Sequence, residues 1–140
     1  MMKNKKLVTL ALAGMMTVSA FSGALAAGLG MIDMGYLVQQ HPNFAKASAT
    51  WQADMKQAQN DFNSQVKDAK TDKDKQALAN QFSTKLNKQR IDLFLPIEKD
   101  IVAKTQQVST QKGLDYVVLK GAVVVGTPQD ITQDVAQALK

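Results

Sequence analysis

The stretch that decides the fold runs from Gly113 to Thr132, GLDYVVLKGAVVVGTPQDIT, near the end of a chain that otherwise reads as helix. It holds two apolar runs, Tyr116 to Leu119 and Ala122 to Val125, separated by Lys120-Gly121. Two short β-rich runs joined by a two-residue turn predict a β-hairpin. Neither run alternates apolar with polar residues, so both faces of such a hairpin call for burial. Gly126-Thr127-Pro128 ends the second run, and Asp130-Ile131-Thr132 reads as the cap of a last helix carrying Val135 and Leu139.

Working outward, Leu29-Gly30-Met31-Ile32-Asp33 reads as a first strand and as the natural partner of that hairpin. Met34 to Gln40 is long enough for a helical turn or two before His41-Pro42, where the restriction on the residue preceding proline ends it. Pro42 suits the first position of a new helix. No Gly or Pro occurs from Asn43 to Leu95, and Ala, Gln, Lys and Asp dominate there, which makes helix the economical reading. Trp51, Met55, Ala58, Phe62, Val66 and Ala69 form one helical stripe. Leu78, Phe82, Leu86, Leu93, Ile97 and Ile101 form a second. Between them, Lys67 and Lys70 favour a helix C-terminus, while Thr71 can cap a new N-terminus with Asp72 and Asp74 in its first turn. That order suggests a helical hairpin with its tip near Thr71. One uninterrupted rod from Asn43 to Lys112, about 100 Å long, is the alternative. Pro96 should kink the returning helix, and Gly113 should end it as a C′ residue.

The first residues have a different character. Lys3, Lys5 and Lys6 precede an apolar stretch from Leu7 to Phe21, and Ala24-Leu25-Ala26 follows as a small-x-small site, the pattern of a secretory signal cleaved after Ala26. Gly14, Thr17 and Ser19 interrupt the stretch, and it falls short of the roughly 20 apolar residues a membrane span needs. The expected mature chain, residues 27–140, keeps 14 of the 17 basic residues and all 12 acidic ones, so its net charge is +2. The Lys residues are interleaved with Asp along the helices rather than clustered, which argues against a nucleic-acid partner and is compatible with acidic clients or anionic lipid. The chain has no cysteine. Disulfides, thiolate metal sites and a cysteine nucleophile are thereby excluded, and stability must come from a core or from assembly.

Little in the sequence speaks for catalysis. The single histidine, His41, reads as a polar residue at an element boundary with no visible partner set. Gly28 and Gly30 precede and occupy the first strand instead of following it, so they do not make a phosphate loop, and no Walker-type lysine accompanies them. The carboxylates are spread singly along the helices, as solvated i,i+4 pairing requires. No cofactor and no metal site is expected. The aromatic residues Trp51, Phe62 and Phe82 invite two readings: packing between the arm helices, or, together with Met55, an apolar surface facing a cavity that holds unfolded polypeptide.

The order of parts resembles the Skp/OmpH family of periplasmic chaperones. The resemblance rests on Gly30-Met31-Ile32-Asp33-Met34 with Val38-Gln39-Gln40-His41-Pro42, on Lys112 to Lys120, and on Pro128 to Val135 with Ala138-Leu139, which together span the expected mature chain. It implies an α+β, mostly helical fold in which short strands of three chains build a trimeric β-body and each chain contributes one helical hairpin arm. Residues 27–41 and 97–140 would form the body with its flanking helices, and 42–96 the arm. It also implies an ATP-independent periplasmic holdase that binds unfolded outer-membrane or other exported proteins between the arms. Trp51, Met55, Phe62, Val66, Phe82 and Leu86 would then line the client surface. Met31, Ile32, Tyr116, Val117, Val118, Leu119, Val123, Val124 and Val125 would form the trimer contact. The arms look shorter than those of the best-known members, about 40 Å for helices of roughly 28 residues. The rival function is a structural envelope coiled coil that binds cell wall or outer membrane and holds no client.

Overall fold

A computed structural model describes residues 28–140; the signal-like segment and its cleavage site lie outside the described residues. The elements are β1 (Leu29–Ile32), α1 (Met34–Gln40), α2 (Phe44–Gln65), α3 (Asp72–Gln111), β2 (Tyr116–Leu119), β3 (Gln129–Asp130) and α4 (Thr132–Ala138). The chain is therefore mostly helical with one small sheet, an α+β arrangement. No described helix is long and apolar enough to cross a membrane.

The sheet departs from the expected hairpin. β1 is its central strand, in the order β2-β1-β3, and both neighbours run parallel to it. Leu29 to Ile32 pair with Tyr116 to Leu119, and Gly30 and Met31 pair with Gln129 and Asp130. Ala122 to Val125 form no strand. The reason lies in the turn. A two-residue hairpin needs a type I′ or II′ turn, with positive φ at the first central residue. No non-glycine residue has positive φ among the described residues, so Lys120 does not, while Gly121 has φ +89° and the Ala122 N–H donates to the Leu119 carbonyl at 3.0 Å. Those are the φ signs of a type II turn, which turns the chain away from β2 instead of folding it back alongside. Residues 120–128 return it to the start of β3, with Val123 and Val125 near Leu29 and Pro128.

β1 can be central because it carries a glycine where its neighbours close in. A Cβ on Gly30 would stand 2.8 Å from Leu114 Cδ1 and 3.4 Å from Val117 Cγ2. Gly30 thus gives room to Leu114, which is part of the core. Leu114 in turn is placed by the end of α3. Gly113 takes φ +66°, its N–H donates to the Thr110 carbonyl at 3.2 Å, and the Leu114 N–H donates to the Ser109 carbonyl at 2.9 Å. This is a Schellman ending, with its apolar residue delivered into the core.

Two neighbouring strand-to-helix junctions are tied together. Asp33 caps α1 by accepting the Tyr36 N–H through Oδ1 at 3.0 Å, and its own N–H donates to Thr132 Oγ1 at 3.0 Å. Asp130 Oδ1 accepts the Thr132 N–H at 2.9 Å at the start of α4. Asp130 therefore both ends a strand and shapes a helix start, whereas the sequence pointed only to the second role. The core lies beneath this face. Leu37, Ile101, Ile131 and Val135 are fully buried, joined by Ile32, Ile97 and Val108.

α2 and α3 protrude as a hairpin, so the continuous rod is not formed. α2, of 22 residues, is about 33 Å long. Helical structure breaks off after Gln65, and Thr71 opens α3 with a capping box: its Oγ1 accepts the Asp74 N–H at 3.0 Å and Asp74 Oδ2 accepts the Thr71 N–H at 3.2 Å. α3 runs for 40 residues and passes through Pro96 without interruption. Pro42 lies in the turn before α2, which starts two residues later than the proline suggested.

Hydrogen bonds from the Thr132 hydroxyl and then its backbone N–H hold the Asp130 carboxyl below its ordinary value of 3.8. A depressed folded value contributes stability above the unfolded value and loses it as pH falls through the folded one. Asp130→Asn should therefore lower the denaturation midpoint slightly at pH 6, and the gap from the unchanged chain should narrow as the pH is taken below 3.8 and the carboxyl protonates. Denaturant titrations across that range measure it.

Candidate functional site

The arm hairpin is zipped by a few large side chains. Phe62 on α2 and Phe82 on α3 meet edge to face, with ring centroids 5.7 Å apart and an interplanar angle of 87°. Nearer the body, Phe44 and Phe94 pack at 6.4 Å in a tilted pair. Such pairs add about 0.5–1.5 kcal/mol beyond the area they bury. The periodicity marked Phe62 and Phe82, but neither Phe44 nor Phe94 belongs to the two stripes it picked out.

The aromatic pair does not fill the space between the helices. Met55, Ala58 and Phe62 on one side and Ala79, Phe82 and Leu86 on the other border a groove of about 330 Å³. Gln59 and Ser83 give its polar border. Met55 is 48% exposed, whereas Ala58 is buried beneath it. Four of the residues expected on a client surface, Met55, Phe62, Phe82 and Leu86, thus come together at one groove. Trp51 and Val66 are half-buried on the same helix and the adjoining turn, and do not line it.

On the body, the residues expected at a trimer contact divide into three kinds. Ile32 belongs to the chain's own core. Met31, Val117, Val118 and Val123 are half-buried. Tyr116, Leu119, Val124 and Val125 are open to solvent, the two valines at 96% and 89%. A second groove of about 280 Å³ opens between the sheet and α3, bordered by Met34, Val102, Thr105, Val117 and Leu119. Apolar exposure on the body is therefore concentrated on β2 and on the loop that follows it.

His41 is the residue whose position the sequence misjudged most. It sits at an element boundary, as read, but is buried and bonded to Asp100 across the base of the arm. The partner lies 59 positions away, so no local pattern could reveal it. No group of three or more His, Cys, Asp or Glu side chains suited to a metal ion occurs among the described residues.

No protein-family model matches the chain, and no curated protein matches it.

The arm groove has a direct test. An environment-sensitive apolar dye should bind the full chain, and Met55→Gln with Leu86→Gln should reduce its bound fluorescence several-fold while far-ultraviolet circular dichroism stays unchanged. Both residues are at least partly exposed, so neither change opens a buried cavity.

Proposed function

We propose that this chain is an exported, nucleotide-independent holdase of the Skp/OmpH type. Three copies associate through their sheets and hold unfolded outer-membrane or other exported polypeptides between their arms in the periplasm. The observation that carries the proposal is the open apolar groove along a protruding helical hairpin, bordered by Met55, Phe62, Phe82 and Leu86. An arm groove of this kind offers weak, adaptable apolar contact, to which the thioether of Met55 is suited. Several such contacts, linked in one assembly, raise overall affinity without any strong single site.

Association is supported by the exposed Tyr116, Leu119, Val124 and Val125, apolar side chains that contact with another chain would remove from water. β2 is an edge strand, with β1 on one side only. Edge strands carrying apolar residues favour pairing with another chain. The basic residues interleaved on the arms leave contact with acidic clients or anionic lipid open to the same surface, and the reading calls for no catalytic group and no cofactor.

Two experiments test the proposal. An unfolded outer-membrane protein diluted from denaturant should scatter light strongly alone and weakly with the chain at one trimer per client; undiminished scattering would overturn the holdase reading. In a separate measurement of solution mass, the unchanged chain should be trimeric and Val124→Asp should shift it toward monomer. Circular dichroism should show the helical arms retained in that variant, because Val124 is almost wholly exposed in the single chain.

A further inference from the structure

His41 lies where α1, α2 and α3 meet, and its side chain is 5% exposed. Both ring nitrogens are engaged, in opposite senses. Nδ1 accepts the backbone N–H of Asn43 at 3.1 Å, so the ring proton of the neutral form is on Nε2, which donates to Asp100 Oδ2 at 3.0 Å. The backbone of the same residue joins the two helix ends: the His41 N–H donates to the Val38 carbonyl at 3.3 Å, and its carbonyl accepts the Phe44 N–H at 2.9 Å. Asn43, the residue that opens α2, makes no side-chain capping bond. The imidazole is therefore a polar tie between the start of α2 and α3, set beside the apolar pair of Phe44 with Phe94 and the burial of Ala47 in the core.

The surroundings make this tie sensitive to a proton. α1 carries no charged residue. The first turn of α2 brings exposed Lys46, and the facing part of α3 carries Glu98, Lys99, Asp100 and Lys104. Of the carboxylates, Asp100 alone reaches the ring among the described residues. Asp100 is one helical turn beyond Pro96, where α3 lacks one backbone hydrogen bond. The turn that lacks this bond thus lies just outward of the histidine, with Leu93, Phe94 and Ile97 packed on the core around it.

We propose that His41 is a proton-operated latch at the root of the arm: neutral, it joins the start of α2 to α3; protonated, it keeps Asp100, releases Asn43 and lets the arm swing about the Pro96 turn. Protonation turns Nδ1 from acceptor to donor, so an N–H faces the Asn43 N–H and that bond is lost. The imidazolium at the same time attracts Asp100 more strongly. The two effects act on different helices, so the outcome is a change of arm direction and not unfolding. The latch needs no client and does not rest on the holdase reading.

The test uses the full chain spin-labelled at Asn60 on the arm and Gln137 on α4, with electron–electron distances measured at pH 8 and pH 5. The distance distribution should broaden and shift at pH 5 and return at pH 8, while His41→Gln should give one distribution at both. An unchanged distribution in the unaltered chain, or the same shift in His41→Gln, would overturn the latch. Should His41→Gln fail to fold, nuclear magnetic resonance on the unaltered chain replaces it. The Asn43 amide signal should titrate with the same midpoint as the His41 ring, and an Asn43 amide insensitive to that titration would equally overturn the proposal.

Discussion

The rest of the structure depends on one constraint: β1, at the beginning of the described chain, is gripped on both sides by strands from its end. The Ile32 carbonyl accepts the Lys120 N–H at 2.8 Å on one side, and the Met31 carbonyl accepts the Ile131 N–H at 3.0 Å on the other. Everything between β1 and β2 is consequently an insertion into a parallel strand pair. Parallel neighbours need a crossover, ordinarily a helix packed on the sheet. Here the crossover is drawn out into two long helices that leave the body and come back. The hairpin makes the closure feasible, since a chain that doubles back brings its ends together, whereas a rod would carry Gly113 far from Leu29.

The division of labour follows from the amount of core available. Leu37, Ile97, Ile101, Ile131 and Val135 supply a compact body core, but the outer arm has only narrow stripes and a few aromatic pairs. Helices stabilised this way retain apolar surface in water. That remainder, in the arm groove and on the exposed β2 and Val124-Val125 segment, is what the proposed function uses: one part to hold a client, the other to join copies. Two long-range polar contacts brace the body and the root of the arm: Asp33 with Thr132 inside the body, and His41 with Asp100 where the arm leaves it.

Much of this was legible because it is local. The capping box at Thr71, the αL glycine at position 113 and the two helical stripes each depend on residues within a turn or two of one another, and each appears where the pattern indicated, except that Val66 and Ala69 of the first stripe fall beyond the end of α2 at Gln65. The groove at Met55, Phe62, Phe82 and Leu86 was half legible: periodicity placed these residues on helix faces but did not say which would stay open once Phe62 and Phe82 packed together. Other features were illegible for the same physical reason in reverse. β3 is only Gln129-Asp130, too short and polar to signal a strand, and it exists because β1 offers free backbone groups on that side. The valines at 123 to 125 have strong β propensity, yet propensity yielded to the turn at Gly121, which left no strand alongside for them to pair with.

The sequence by itself determined which segments are helical, offered Thr71 as a point of reversal and marked the end of α3 at Gly113, because those outcomes rest on hydrogen bonds and side-chain spacing within a few residues. Only the tertiary structure decided that the sheet is parallel with β1 at its centre, that Ile32 is used within the chain, and that His41 is buried against Asp100. These depend on contacts between residues far apart in the chain, where competition for the same backbone donors, the same core volume and the same carboxylate chooses among arrangements that local preference leaves equal.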